Sequence, residues 1–112
     1  MEIRNLGRSG LRVSAIGLGC NNFGGRIDLE ATRKVIHKAI DLGITLFDTA
    51  DVYGNRGGSE TLMGQVLGDR RKDIVLATKF GMAMSDDGMK KGGSRRYVMA
   101  AVEDSLRRLK TD

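Results

Sequence analysis

The sequence predicts an α/β fold built on a parallel sheet, and three observations carry that expectation. Short apolar runs begin near Ala15, Ile44 and Ile74, spaced by about 30 residues, the size of one strand and its helix. Each run is followed by a segment with helical periodicity. None of the runs shows the strict alternation of a half-exposed strand, which is the pattern of strands covered on both faces.

The chain opens with two β-compatible pieces around Leu6-Gly7-Arg8-Ser9-Gly10, where Gly7 and Gly10 can supply the positive φ of a hairpin turn. Ala15-Ile16-Gly17-Leu18-Gly19-Cys20 reads as the first buried strand, running into the loop Asn21-Asn22-Phe23-Gly24-Gly25. Between Leu29 and Leu42 the residues Leu29, Val35, Ile36, Ala39, Ile40 and Leu42 share one helical face, with Asp28 as N-cap and Gly43 as C-cap. Ile44-Thr45-Leu46-Phe47 is the second strand and ends at Asp48. Ser59 starts a shorter helix as its N-cap, with Glu60 facing the N-terminal dipole and Gly68 closing it. Ile74-Val75-Leu76-Ala77-Thr78 is the third strand and ends at Lys79. Ser94 caps a third helix lined by Val98, Ala101, Val102, Leu106 and Leu109, in which Glu103 with Arg107 and Asp104 with Arg108 are expected i,i+4 pairs. On this period a fourth strand is due after Asp112, so the chain reads as the front portion of a longer repeat, in one domain over residues 1–112.

Composition narrows the function classes. The 112 residues are 29% charged and 40% hydrophobic, with a net charge of +5, the balance of a folded domain and not of a disordered chain. No apolar run is long enough to span a bilayer and no signal peptide opens the chain, so a cytoplasmic protein without membrane attachment is expected. A single cysteine, Cys20, and a single histidine, His37, offer neither an internal disulfide nor a Cys/His metal site. Only two Tyr and three Phe are present and none interleaves a basic stripe, so no nucleic-acid partner is expected. The basic run Lys90, Lys91, Arg95, Arg96 is a solvated face or an anion site at a helix start.

Ligands of parallel α/β folds bind beyond the carboxyl ends of the strands. Asp48 and Lys79 sit at two such ends, and Tyr53 follows Asp48 by five positions in the same loop. Singly, each has a structural reading: an Asp capping a turn, a Lys reaching water, a loop Tyr packing. Together they form a proton-delivery site. A phenol yields its proton to a developing alkoxide more readily when an ammonium stabilises the phenolate left behind, and a carboxylate beside the ammonium keeps it charged and oriented. Gly17, Gly19 and Gly24 are out of register for the G-x-G-x-x-G dinucleotide fingerprint. The loop from Gly19 through Cys20, Asn21 and Asn22 to Phe23 either lines the mouth of the site or is a tight turn with Phe23 packed inward. Without a His partner, the Cys20 thiol reads as a small packed hydrophobe.

The run Phe47-Asp48-Thr49-Ala50-Asp51-Val52-Tyr53-Gly54, continuing through Gly58-Ser59-Glu60, resembles the Asp/Tyr signature of the aldo-keto reductase superfamily. Ala77-Thr78-Lys79-Phe80-Gly81 resembles its lysine strand, and Leu6 to Ser14 its N-terminal hairpin. The resemblance implies an N-terminal β-hairpin followed by three βα units of a TIM (β/α)8 barrel, truncated before strand four, in an enzyme that uses NADPH to reduce aldehydes and ketones. It makes Tyr53 the proton donor, Lys79 its activator and Asp48 the partner of Lys79. It also implies that Gly19, Cys20, Asn21, Asn22 and Asp48 approach the nicotinamide ribose, and that the relay's His lies at the end of strand four, beyond Asp112. His37, mid-helix on a polar face, does not replace it. A barrel of this kind takes about 250 residues, so the 112-residue chain alone is expected to be inactive and to self-associate through an open sheet edge. The alternative expectation is a non-catalytic interaction module or accessory subunit.

Overall fold

The computed structural model describes all residues from Met1 to Asp112. Strands β1 (Ile3–Asn5) and β2 (Arg12–Ser14) form an antiparallel hairpin, and its turn uses positive φ at Gly7 (56°) and Gly10 (81°). Three units follow: β3 (Gly17–Gly19) with α1 (Leu29–Asp41), β4 (Leu46–Asp48) with α2 (Tyr53–Leu67), and β5 (Val75–Ala77) with α3 (Arg95–Leu109). A 3-10 turn over Gly68–Asp73 joins α2 to β5. The three strands form one parallel sheet in the order β3-β4-β5, with Gly19 opposite Asp48 and Asp48 opposite Ala77. No helix is long and apolar enough to cross a membrane.

Local signals act where the sequence places them at most helix ends. Asp28 caps α1 by accepting from Ala31 N at 3.0 Å. At the other end Leu42 is the cap and Gly43 follows it with φ 86°. Gly43 N donates to Ile40 O and Ile44 N to Ala39 O, the paired bonds that close a helix through a left-handed glycine. Ser94 caps α3 through Tyr97 N at 3.1 Å.

The core lies between the sheet and the helices. Phe47, Ile36, Met63 and Cys20 are fully buried there, with Phe23, Val66, Leu67, Ile74 and Leu109 around them. The strands, however, are not covered on both faces: β3 is mostly exposed, and Ala77 at the end of β5 is open. Helices pack on one face only, and the apolar runs that suggested double burial belong to a barrel whose inner face these three units leave uncovered.

Two local expectations are corrected. Ser59 does not cap α2. Its hydroxyl is buried, donates to Cys20 O at 2.7 Å and bonds Thr49 Oγ1 at 2.8 Å, so it ties α2 to the ends of β3 and β4. The i,i+4 pairs of α3 do not form either. Asp104 pairs instead with Arg107 at 2.8 Å, and Arg108 reaches Glu60 of α2 at 2.8 Å, because Arg108 lies on the face that packs against α2.

Candidate active site

The carboxyl ends of β4 and β5 bring Asp48 and Lys79 side by side. Beyond the named strands the parallel pattern continues, with Thr49 N donating to Ala77 O at 2.9 Å and Asp51 N to Lys79 O at 3.1 Å. The Lys79 ammonium donates to Asp48 Oδ1 at 2.8 Å, to Asp48 Oδ2 at 2.9 Å and to Thr49 O at 3.0 Å. It stands 3.5 Å from the Tyr53 hydroxyl, long for a hydrogen bond, and 5.1 Å from the centre of the Tyr53 ring, within range of the ring's negative face. The hydrogen bond that Lys79 donates to Asp48 raises its pKa, as does the one to Tyr53, while partial burial opposes them.

Both side chains of the pair are about half exposed, 47% for Lys79 and 51% for Asp48. An ion pair that open contributes about 1 kcal/mol or less to stability. What the contact supplies is direction: it aims one cation at one phenol.

Tyr53 is delivered by an unusual piece of backbone. The first turn of α2 is wound left-handed, with φ/ψ of 73°/48° at Gly54, 61°/54° at Asn55 and 64°/55° at Arg56, before Gly57 at φ 127° returns the chain to the right-handed helix. Arg56 N still reaches Val52 O at 3.0 Å. Glycine is required at 54, where a Cβ would stand 2.3 Å from Phe23 O. Asn55 and Arg56 carry the ordinary cost of this region for L residues.

At the end of β3 the loop divides in two directions. Gly19, Asn21 and Asn22 are exposed beside Asp48, and a Cβ at Gly19 would meet nothing closer than Asn21 Oδ1 at 4.0 Å. Cys20 turns inward: it is fully buried in the core, and burial pushes its thiol up to about 12. The Cys20 side chain therefore packs in the core, and so does that of Phe23, which is also buried.

A group that the sequence reading missed lies directly behind the site. Glu60, expected to face a helix dipole, is completely buried. Its Oε1 accepts from Arg108 Nε at 2.8 Å and its Oε2 from Thr78 Oγ1 at 2.9 Å. Asp51 is buried nearby, and its carboxyl pKa is raised, first by burial and then by Glu60. A buried Glu of this kind leaves a sequence signal only as a charge among the apolar residues of a helix.

The structure is thus an open parallel sheet of βα units with an Asp, a Lys and a Tyr gathered at its carboxyl end. The model of the Aldo/keto reductase family matches residues 15–112, and the chain belongs to that family. It is 42% identical over its whole length to the uncharacterized oxidoreductase YqkF of Bacillus subtilis, of which it covers 36%. It is 41% identical, over 97% of its length, to the L-glyceraldehyde 3-phosphate reductase of Escherichia coli K12, covering 33% of it. A probable voltage-gated potassium channel subunit beta of Oryza sativa is 38% identical over the whole chain, which covers 35% of it. Among solved structures, the holo form of the aldo-keto reductase AKR11C1 from Bacillus halodurans superposes with a TM-score of 0.86 at 42% identity, over all of this chain and 37% of that one. The chain thus spans about a third of the length of these relatives, and its fold is a partial (β/α)8 barrel.

Proposed function

We propose that these residues carry the proton-delivery half of an NADPH-dependent carbonyl reductase site acting on a small-molecule aldehyde or ketone. One observation supports this most: a single ammonium, Lys79, bonded to both oxygens of Asp48 and 3.5 Å from the Tyr53 hydroxyl. Bound beside the site, a reduced nicotinamide supplies a hydride to the carbonyl carbon. Tyr53 donates its hydroxyl proton to the oxygen that becomes an alkoxide, Lys79 stabilises the resulting phenolate, and Asp48 holds Lys79 in place. The exposed end of β3 fits a cofactor ribose, since Gly19 leaves open space and Asn21 and Asn22 offer amides beside the Asp48 carboxylate. Gly19, Asn21, Asn22 and Asp48 are the residues of this chain that would hold it.

In the closed barrel to which this segment belongs, Tyr53→Phe is expected to abolish carbonyl reduction while leaving NADPH affinity close to intact. Full turnover in that variant overturns Tyr53 as donor. The 112-residue chain by itself is expected to consume no NADPH with an aromatic aldehyde, because three strands leave the far wall of the site unbuilt. Robust turnover by the purified chain contradicts that.

A second reading, a non-catalytic subunit that works by association, draws on the likeness to the channel subunit beta and on the free edges of β3 and β5. A concentration-dependent dimer by light scattering, with Tyr53→Phe without effect on function, favours it.

A further inference from the structure

We infer that Glu60 is the positioning residue for Lys79: from behind the sheet it holds the Thr78 hydroxyl, and through Thr78 it fixes the face from which Lys79 projects. The inference rests on Lys79 acting in the proton-delivery site proposed above.

Successive side chains of an extended backbone point to opposite faces. Asp48 stands opposite Ala77 in the ladder and Phe47 opposite Leu76, so Asp48, Ala77 and Lys79 share one face. Phe47, Leu76 and Thr78 share the other, the face that packs on the helices. Lys79 can meet Asp48 only while Thr78 points toward α2. Thr78 follows directly on the last residue of β5 and is itself exposed, so apolar burial does not hold it there. The 2.9 Å bond from its hydroxyl to Glu60 Oε2 does.

Glu60 is suited to the task because it is anchored on its other side. Its other oxygen is held by Arg108 at 2.8 Å, and it is wholly buried. Two glycines make room for Arg108: a Cβ at Gly64 would stand 2.1 Å from Arg108 O, and one at Gly57 would stand 3.0 Å from Arg108 Cδ. A buried ion pair is a weak source of stability, since an apolar pair of similar volume often serves as well. An acceptor aimed at the residue before Lys79 gives this one a different use.

The test is nuclear magnetic resonance of the 112-residue chain, reading the pH titration of Lys79 at its 13Cε and the nuclear Overhauser effects between Lys79 and the Tyr53 ring. Thr78→Val keeps the shape and removes the hydroxyl. It is expected to shift the Lys79 midpoint downward and to weaken the contacts to Tyr53, with amide signals outside residues 76–81 unchanged, and Thr78→Ser restores both. Glu60→Met is expected to do the same, and the double variant to go no further than Thr78→Val alone. Unchanged Lys79 readouts in Thr78→Val, no rescue by Ser, or an additive double variant each overturn the inference. Should the variants not fold, the unmutated chain still decides: couplings that show one Thr78 χ1 rotamer support the tie, and averaged couplings overturn it. None of these readouts uses NADPH or a carbonyl, so they fail separately from the reductase assay.

Discussion

Lys79 touches both oxygens of Asp48 at 2.8 and 2.9 Å from a neighbouring strand, and this bidentate contact gives the pair a pH signature. The folded state raises the pKa of Lys79 above its ordinary 10.5. Its protonated form is therefore favoured by folding, and that contribution is complete below about pH 10 and lost as pH rises through the folded value. Urea unfolding of the chain and of Lys79→Met between pH 8 and the alkaline limit checks this. The unmutated chain should lose stability relative to the variant only at the alkaline end; parallel curves throughout would sink it.

Asp51 runs the other way. Its pKa is raised, chiefly by burial and next by Glu60, so the folded state disfavours its charge. At neutral pH the ionised carboxylate costs stability, and the cost vanishes as pH falls below the unfolded value near 3.8. Asp51→Asn is expected to be more stable than the unmutated chain at pH 7 and equal to it near pH 3. Thermal midpoints at the two pH values distinguish this from a lost hydrogen bond, which would destabilise at both.

Gly64→Ala weighs two effects of opposite sign. Alanine gains about 1 kcal/mol of helix propensity over glycine. The new Cβ, however, would stand 2.1 Å from Arg108 O, a backbone atom that moves only if α2 and α3 separate. Overpacking of this kind costs roughly 1–3 kcal/mol or more, so a net loss is expected in urea titration. A stabilised variant would show that the two helices slide apart freely.

That Asp48 and Lys79 would be neighbours was legible in the sequence, because the strand spacing puts them at adjacent strand ends, while Tyr53 was drawn in by its place in the loop after Asp48 and by the family resemblance. Glu60 was not legible. Its role depends on Arg108, 48 positions away, and no local period tells which face of α3 will meet α2. For Cys20 the residue type suggested packing and the family resemblance a place beside the cofactor; its side chain is buried in the core. The strands misled for a geometric reason. Runs such as Ile74-Val75-Leu76-Ala77 encode two covered faces, and the three helices present cover one.

Asn55 and Arg56 wind against the handedness that L-amino acids prefer. The turn beneath Tyr53 is therefore a place where foldability has been surrendered for geometry, and a mirror-image residue would sit there more comfortably than the natural one. Glycines with positive φ, Gly54 and Gly57, stand at its two ends and let the chain enter and leave the left-handed turn. Tyr53 thus opens a turn that two L residues hold against their preference, and glycine at 55 or 56 would remove that cost while leaving the phenol's anchor in place.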